Sequence, residues 1–191
     1  MNICRACTLL VIASLCLTTG CRLVKADPHI AFLGDSITEG WRYPRANFGI
    51  HGNTTAQMLE RFPGAIPSHH FTTVVVLGGT NDVLGDVDPN TTIANLETIG
   101  ELSTQQNVEP ILCEIPPIFH DFRLANTKDY KPQVLELNRR IAALAEKHHW
   151  KLVDYYTPLA NHPKYLTDGV HMTRRGYLVM ENALLQKLSL F

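Results

Sequence analysis

The sequence predicts a single α/β domain, with a five-stranded, mainly parallel sheet covered by helices on both faces. Short apolar segments alternate with longer amphipathic ones along the chain. The apolar segments lack the polar–apolar alternation of half-exposed strands, as expected where helices cover both faces of a parallel sheet. The 191 residues, 45% hydrophobic and 18% charged, also suffice for one sizeable core. The expected architecture is therefore a three-layer α/β/α sandwich.

The predicted strands are short apolar runs bounded by turn-forming residues. In chain order they cover residues 30–33, 48–50, 73–77, 111–115 and 151–153. Ligands of doubly wound sheets bind beyond the carboxyl ends of the strands, so the residues that follow these runs are the candidates for a functional site.

The predicted helices repeat apolar residues every three or four positions. They cover residues 54–61, 90–104, 132–149 and 174–188. Thr54 is a favourable N-cap for the first of these helices, and leucines at positions 178, 184, 185 and 188 give the last one an apolar face. Strands and helices thus alternate through one domain.

Residues 1–26 are predicted to be a signal peptide. Arg5 precedes an apolar run at 6–17, which has the length of a signal-peptide core and is shorter than a bilayer span. Two processing sites remain open: cleavage after Ala26 fits a small-residue site, whereas a loose lipobox would end at a lipidated Cys21. Either site implies export, to the periplasm or the medium, or to a membrane through the lipid anchor. Residues 27–191 then form the single folded domain, without a membrane-spanning helix.

Charge and cysteine content exclude several classes of protein. Removing residues 1–26 takes three of the 17 basic residues and leaves 14 against 18 acidic ones, a formal charge of −4. This balance argues against a nucleic-acid partner. Four of the five cysteines lie in or beside the signal segment, which leaves Cys113 in a predicted strand and no disulfide framework.

Cofactor motifs are missing from the sequence. There is no Walker A motif, no G-x-G-x-x-G and no H-E-x-x-H. The adjacent histidine pairs at 69–70 and 148–149 point to different sides of most elements and are more typical of solvated than of metal-ligating residues. We therefore expect neither a cofactor nor a metal.

Ser36, in the stretch GDSITEG, is the candidate nucleophile. A serine at the start of a helix is also a good N-cap, so its position alone does not decide the role. Among the four serines of the predicted domain, it alone follows a strand and a Gly-Asp pair. We expect Asp35 to accept hydrogen bonds from nearby backbone amides and so fix the turn.

Asp168 and His171, in the stretch TDGVHMT, are the candidate acid–base pair. They lie three residues apart in a turn before the last helix, so one loop is able to aim both side chains together. In a serine hydrolase the imidazole takes the serine proton, and a carboxylate fixes the tautomer of the ring. Taken alone, an Asp-Gly turn beside a solvated histidine is the commoner explanation of this motif.

Two further turns provide candidate donors for an oxyanion. GGTND ends the third predicted strand and presents the amide of Asn81, and GIHGNTT ends the second strand at Gly52. The backbone N–H groups of Gly52 and Ser36 are the other two candidate donors. Each stretch is also ordinary loop chemistry, but four such turns at strand ends or before the last helix make coincidence less plausible.

These four stretches, in this order, resemble the sequence blocks of the SGNH branch of the GDSL-type esterases and lipases. The resemblance covers essentially the whole predicted domain, and the combination of blocks is far more specific than any one of them. It implies a flavodoxin-like α/β/α fold, a catalytic triad of Ser36, His171 and Asp168, and an oxyanion hole formed by Ser36, Gly52 and Asn81. Asn53 departs from the pattern, since relatives often have Asp or Glu there, which leaves the support of its loop open.

The expected activity is that of an exported serine esterase on small or short-chain acyl esters, acetylated carbohydrates included, acting through an acyl-enzyme on Ser36. Two alternatives remain: a lysophospholipase or thioesterase that takes longer acyl chains, and a binding lipoprotein without turnover. The substrate-binding residues are unknown. The irregular segment 116–130 is a candidate wall of the pocket. Trp41, Arg42 and Arg45 are candidates to meet a polar or anionic leaving group, with a solvated rim as the alternative for the arginines.

Overall fold

Five parallel strands form one sheet in the order β2-β1-β3-β4-β5, which confirms the predicted fold class. The computed structural model describes residues 27–42, 44, 46–66, 71–119 and 128–188, so the predicted signal peptide lies outside the described residues. The strands are β1 (Ile30–Gly34), β2 (Ala46–Gly49), β3 (Thr73–Leu77), β4 (Glu109–Cys113) and β5 (Lys151–Val153).

Six helices accompany the sheet in the described part of the chain. They are α1 (Ser36–Glu39), α2 (Thr55–Ala65), α3 (Thr80–Leu84), α4 (Pro89–Gln105), α5 (Lys131–His148) and α6 (Arg174–Leu188), with a 3₁₀ turn at Pro163–Tyr165. The four predicted helices are present, and the N-cap predicted at Thr54 is observed as part of a capping box. Helix α3 was not predicted, because five residues are too few to show a helical period. None of the described helices is long and apolar enough to cross a bilayer.

The order of the strands divides the helices between the two faces. Three connections, through α2, α4 and α5, advance across the sheet in the same direction, and right-handed crossovers put them on one face. Helix α2 packs against α4, and α4 packs against α5. On the other face Tyr177 of α6 donates a hydrogen bond to the carbonyl of Ile37 in α1, at 2.8 Å. The sheet is thus the middle layer of three.

Strands β1 and β3 form the centre of the core, and every one of their residues is buried. Cys113, the last residue of β4, is also buried, as predicted. Trp41 is only 3% exposed and packs against the rings of Phe32, Tyr155 and Tyr177. The expectation that Trp41 meets a leaving group was therefore wrong, because this indole fills an aromatic cluster beneath α1.

Three strands differ in their bounds from the prediction, and β1 differs only in extending one residue further, to Gly34. β2 covers Ala46–Gly49 rather than residues 48–50, and the prediction missed its start because Asn47 separates Ala46 from the apolar run. β4 ends at Cys113 although the apolar run continues to Ile115. The backbone N–H and C=O of Ile115 instead pair with the side-chain amide of Asn138 in α5, at 2.8 and 2.9 Å. At Ile115 the side-chain amide of a buried asparagine thus takes the place of the hydrogen bonds of a neighbouring strand.

Strands β1, β2 and β3 end at one level. Gly34, the last residue of β1, is in register with Gly49 of β2 and with Leu77 of β3. The turns that follow these strands therefore emerge side by side, and they include three of the four sequence stretches singled out above.

Candidate active site

The structure brings Ser36 and His171, which are 135 residues apart, into hydrogen-bond contact. Ser36 Oγ lies 2.9 Å from His171 Nε2. On the other side of the ring, Nδ1 lies 2.7 Å from Asp168 Oδ2. The His171 and Asp168 side chains are 36% and 33% exposed. The series of contacts therefore lies at the protein surface, beyond the carboxyl ends of the strands, where a ligand is able to reach it.

The loop that carries Asp168 and His171 is held by its own backbone. Asp168 Oδ1 accepts hydrogen bonds from the N–H groups of Val170 and His171, at 3.0 and 2.8 Å. Gly169 between them has a φ of +88°, a conformation that glycine adopts without strain. Burial raises the pKa of Asp168, but the hydrogen bonds from His171 and Val170 outweigh it and lower the pKa to about 2. An ionised Asp168 accepts a hydrogen bond from the Nδ1–H group of His171. The other ring nitrogen, Nε2, then carries no proton and is the acceptor that faces Ser36.

Ser36 is the first residue of α1, and the residue before it caps the helix. Asp35 Oδ1 accepts a hydrogen bond from the N–H of Ile37 at 2.9 Å, which confirms the turn-fixing role predicted for Asp35. This carboxyl group is wholly buried, and its Oδ2 has no hydrogen-bond partner among the described residues. Burial raises the pKa of Asp35 to about 6; the Ile37 N–H and the charge of His171 lower it, and nearby Asp82 raises it further.

The residues proposed as oxyanion donors lie in the turns at this edge. Gly52 has a φ of +74°, and the ring of its neighbour His51 lies parallel to the His171 ring with centroids 6.0 Å apart. Asn81 Nδ2 donates a hydrogen bond to the backbone carbonyl of Asn53 at 2.9 Å. A side-chain amide has two N–H groups, so one remains for a further acceptor. The structure thus places the turns of Gly52 and Asn81 side by side, with the ring of His51 from the first turn next to His171.

Asp82 is a buried residue of this edge that the sequence interpretation missed. Its Oδ2 accepts from the N–H of Thr55 at 2.9 Å, and its Oδ1 accepts from the hydroxyls of Thr55 and Thr92 at 2.5 and 3.1 Å. This clamp joins α3 to the first turn of α2. Asp82 is the last residue of GGTND, so the stretch that contains Asn81 also contains this buried carboxylate.

The candidate wall of the pocket is described only at its two ends. The N–H of Phe119 donates to the carbonyl of Gly169 at 2.8 Å, which places the start of the 116–130 segment beside the Asp168–His171 loop. Residues 120–127 lie outside the described residues, as does Arg45. Arg42 is exposed and lines a groove of about 650 Å³ that also includes Met172, the residue after His171. This groove adjoins the site without including Ser36.

One cluster of side chains has the geometry of a metal site. Ligand atoms of Glu97, Glu101 and His148 lie within 4.8 Å of one another at the packed surfaces of α4 and α5. Glu97 Oε1, however, already accepts from Lys147 Nζ and contacts His148 Nε2, both at 2.7 Å. The arrangement is that of an ion-pair network in which Lys147 supplies the cation. Residues 69–70, the other histidine pair, lie outside the described chain.

A doubly wound parallel sheet binds its ligands beyond the carboxyl ends of its strands, and this α/β protein gathers its polar side chains there. The model of the GDSL-like lipase/acylhydrolase family matches residues 32–179. The chain belongs to this family, which confirms the resemblance seen in the sequence and makes ester hydrolysis the reaction class.

Solved structures agree with this assignment. A GDSL-like lipase from Bacteroides thetaiotaomicron is 28% identical over 91% of this chain and 95% of its own, with a TM-score of 0.76. A protein described as an acylhydrolase from Bacteroides fragilis is 29% identical over 91% and 93%, with a TM-score of 0.75. An acetyl xylan esterase, 20% identical over 82% and 98% with a TM-score of 0.71, shares the fold. No curated protein matches the chain in sequence.

Proposed function

We propose that the protein is a serine esterase that cleaves small or short-chain acyl esters through an acyl-enzyme on Ser36. The observation that carries the proposal is the unbroken series of contacts from Ser36 Oγ to His171 Nε2, at 2.9 Å, and from His171 Nδ1 to Asp168 Oδ2, at 2.7 Å. Such a series activates a hydroxyl that is otherwise a weak nucleophile.

In the proposed reaction Ser36 Oγ attacks the ester carbonyl carbon while His171 Nε2 takes the hydroxyl proton. The carbonyl oxygen becomes an oxyanion, which the N–H groups of Ser36 and Gly52 and the amide of Asn81 stabilise. The C–O bond to the alcohol then breaks, and His171 donates its proton to the leaving oxygen. A water molecule, deprotonated by His171, releases the acid and restores Ser36. Asp168 keeps the ring in the required tautomer throughout.

The preference for short acyl chains rests on the architecture. The described elements all belong to the three layers of the sandwich, and they include no additional domain that would cover a long acyl groove. Export of residues 27–191 after removal of the signal segment is part of the same proposal. Hydrolysis of p-nitrophenyl esters of increasing acyl length tests this preference, and turnover that rises from acetate to dodecanoate favours the long-chain alternative.

Labelling with a fluorophosphonate probe tests the nucleophile. The wild-type protein should be labelled stoichiometrically, and Ser36→Ala should be neither labelled nor active. Ser189→Ala, which removes a serine near the C-terminus, is the matched control and should react as the wild type does. Equal labelling of Ser36→Ala and wild type would refute the assignment, and a wild-type protein that is neither labelled nor active would favour a binding protein without turnover.

A further inference from the structure

Arg61 of α2 connects two segments of the site that are far apart in sequence. Its Nη2 donates to the carbonyl of Gly34 at 2.8 Å, and its Nε donates to Asn53 Oδ1 at 2.7 Å. Gly34 ends β1 two residues before Ser36, and Asn53 directly follows Gly52. One guanidinium therefore spans the gap between the nucleophile turn and the turn that holds Gly52, one of the proposed oxyanion donors.

The connection continues to the third proposed donor. The backbone carbonyl of Asn53 accepts a hydrogen bond from Asn81 Nδ2 at 2.9 Å. The side-chain oxygen of Asn53 thus accepts a hydrogen bond from Arg61, and its backbone oxygen accepts one from Asn81 and orients that amide. Fixing one N–H of the Asn81 amide in this way also fixes the direction of the other.

The two partners of Arg61 are neutral oxygens, and no carboxylate pairs with it in the described chain. Its guanidinium is half-buried, and burial lowers its pKa, although an arginine stays charged under all ordinary conditions. Because the guanidinium is planar and has several donors in a fixed fork, it is able to hold two acceptors at a set separation, which a single ammonium does poorly.

The helix that carries Arg61 is itself anchored at this edge. Asp82 clamps Thr55, the first residue of α2, through the backbone N–H and the hydroxyl. Arg61 lies between one and two turns further along the same helix, so the hydrogen bonds at Thr55 also fix the position of the Arg61 backbone.

We propose that Arg61 is a positioning residue that sets the oxyanion turn, and through Asn53 the amide of Asn81, against the nucleophile Ser36. This inference rests on the proposed function. It also answers the question left open by Asn53: this residue supports its loop through Arg61, with an amide oxygen as the acceptor.

A double-mutant cycle between Arg61→Met and Asn81→Ala, read as kcat and KM on a short-chain ester, tests the proposal. Arg61→Met alone should lower kcat about tenfold, less than loss of a direct donor, with KM changed by less than about twofold. In the Asn81→Ala background the same change should lower kcat by less than about threefold, because the Asn81 amide, one of the two groups that Arg61 positions, is gone. A residue that served only stability would give equal losses in both backgrounds.

Two further variants keep the test decisive. Arg61→Lys retains the charge and tends to retain folding, but it loses the fork, so its kcat should fall nearly as far as that of Arg61→Met. Arg139→Met removes the same charge from the exposed face of α5, where Arg139 pairs with Glu136, and should leave kcat unchanged.

Equal fold-losses in the two Asn81 backgrounds, a loss confined to KM, or full activity of Arg61→Lys would each overturn the inference. If Ser36→Ala still hydrolyses the ester, the proposed function itself fails. If Ser36→Ala is inactive and the Arg61 variants match the wild type, the positioning role alone fails.

Discussion

Two carboxyl groups flank the Ser36–His171 contact, and their surroundings move their pKa values in opposite directions. Asp35, on the nucleophile side, is wholly buried, and its pKa is raised to about 6. Asp168, on the acid–base side, is one-third exposed, and hydrogen bonds lower its pKa to about 2. The N–H groups around Asp168 therefore lower its pKa in spite of partial burial, whereas the burial of Asp35 outweighs the two backbone N–H groups that lower its pKa.

Asp168→Asn should break the acid–base side and have the largest effect. An asparagine presents either an oxygen or an N–H to His171 Nδ1, and it does not stabilise the imidazolium, so kcat should fall about 10³- to 10⁴-fold. Steady-state kinetics on a short-chain ester measures this loss. A fall of less than tenfold would show that Asp168 is not the partner that matters.

The same variant has a pH signature in stability. Because the pKa of Asp168 in the folded protein lies below its ordinary value of 3.8, its contribution to stability is present above that value. It is lost as the pH falls towards 2. The difference in unfolding free energy between wild type and Asp168→Asn should therefore shrink between about pH 4 and pH 2, as measured by urea titration.

Asp35→Asn tests the nucleophile side, where the sign is reversed. With a folded-state pKa raised from 3.8 to about 6, the wild type loses stability as the pH rises from about 4 to about 6. An asparagine keeps an acceptor for the Ile37 N–H and never ionises. The unfolding free energy of Asp35→Asn minus that of wild type should therefore be larger above pH 6 than at pH 4, by up to about 3 kcal/mol. One pKa unit corresponds to about 1.4 kcal/mol.

Glu114 also contributes to the pH dependence of stability in the range where Asp35 titrates. Burial and the neighbouring Asp154 raise the pKa of Glu114 to about 7, so it titrates in an overlapping range. The difference between wild type and Asp35→Asn at each pH removes this shared contribution. A difference that stays constant from pH 4 to pH 8 would contradict the buried, hard-to-ionise Asp35.

The local and the long-range parts of the site differ in how far the sequence reveals them. Asp168 and His171 lie three residues apart in one turn, so a local pattern was enough to propose them. Asp35 was equally local, as the cap of the helix that begins at Ser36. The braces are long-range: Arg61 reaches Gly34 across 27 residues, and Tyr177 reaches Ile37 across 140. No spacing within a single sequence predicts such contacts.

The fold was more predictable than the packing within it. Apolar runs located all five strands, because burial on both faces leaves a strong apolar signal, and the helical period located the four long helices. The prediction for Trp41 was wrong because it rested only on the position of this residue just past the nucleophile helix. The aromatic rings that surround it in the core come from residues 32, 155 and 177, which only the fold brings together.

Gly52→Ala examines the oxyanion turn on the nucleophile side. A methyl group at this position would meet no other heavy atom within 4 Å, so the change introduces no clash. The φ of +74° is nevertheless strained for alanine, at a cost of about 1–2 kcal/mol in the turn. Relaxing that strain moves the backbone N–H, and kcat should fall about tenfold with little change in KM. Wild-type kcat for this variant would mean that the Gly52 N–H does not contact the oxyanion.

Tyr177→Phe should give the smallest effect on kcat, because the Tyr177 hydroxyl contacts only the backbone of helix α1 and not the reacting groups. The Tyr177 hydroxyl donates to the carbonyl of Ile37 at 2.8 Å, while its ring stacks on Trp41 with centroids 6.0 Å apart. Phenylalanine keeps the stacked ring and removes one hydrogen bond, so the unfolding free energy should fall by about 1 kcal/mol. Ser36 is also held by the Asp35 cap, so kcat should stay within about threefold of wild type. A loss of tenfold or more in kcat would mean that α6, rather than the cap, positions the nucleophile.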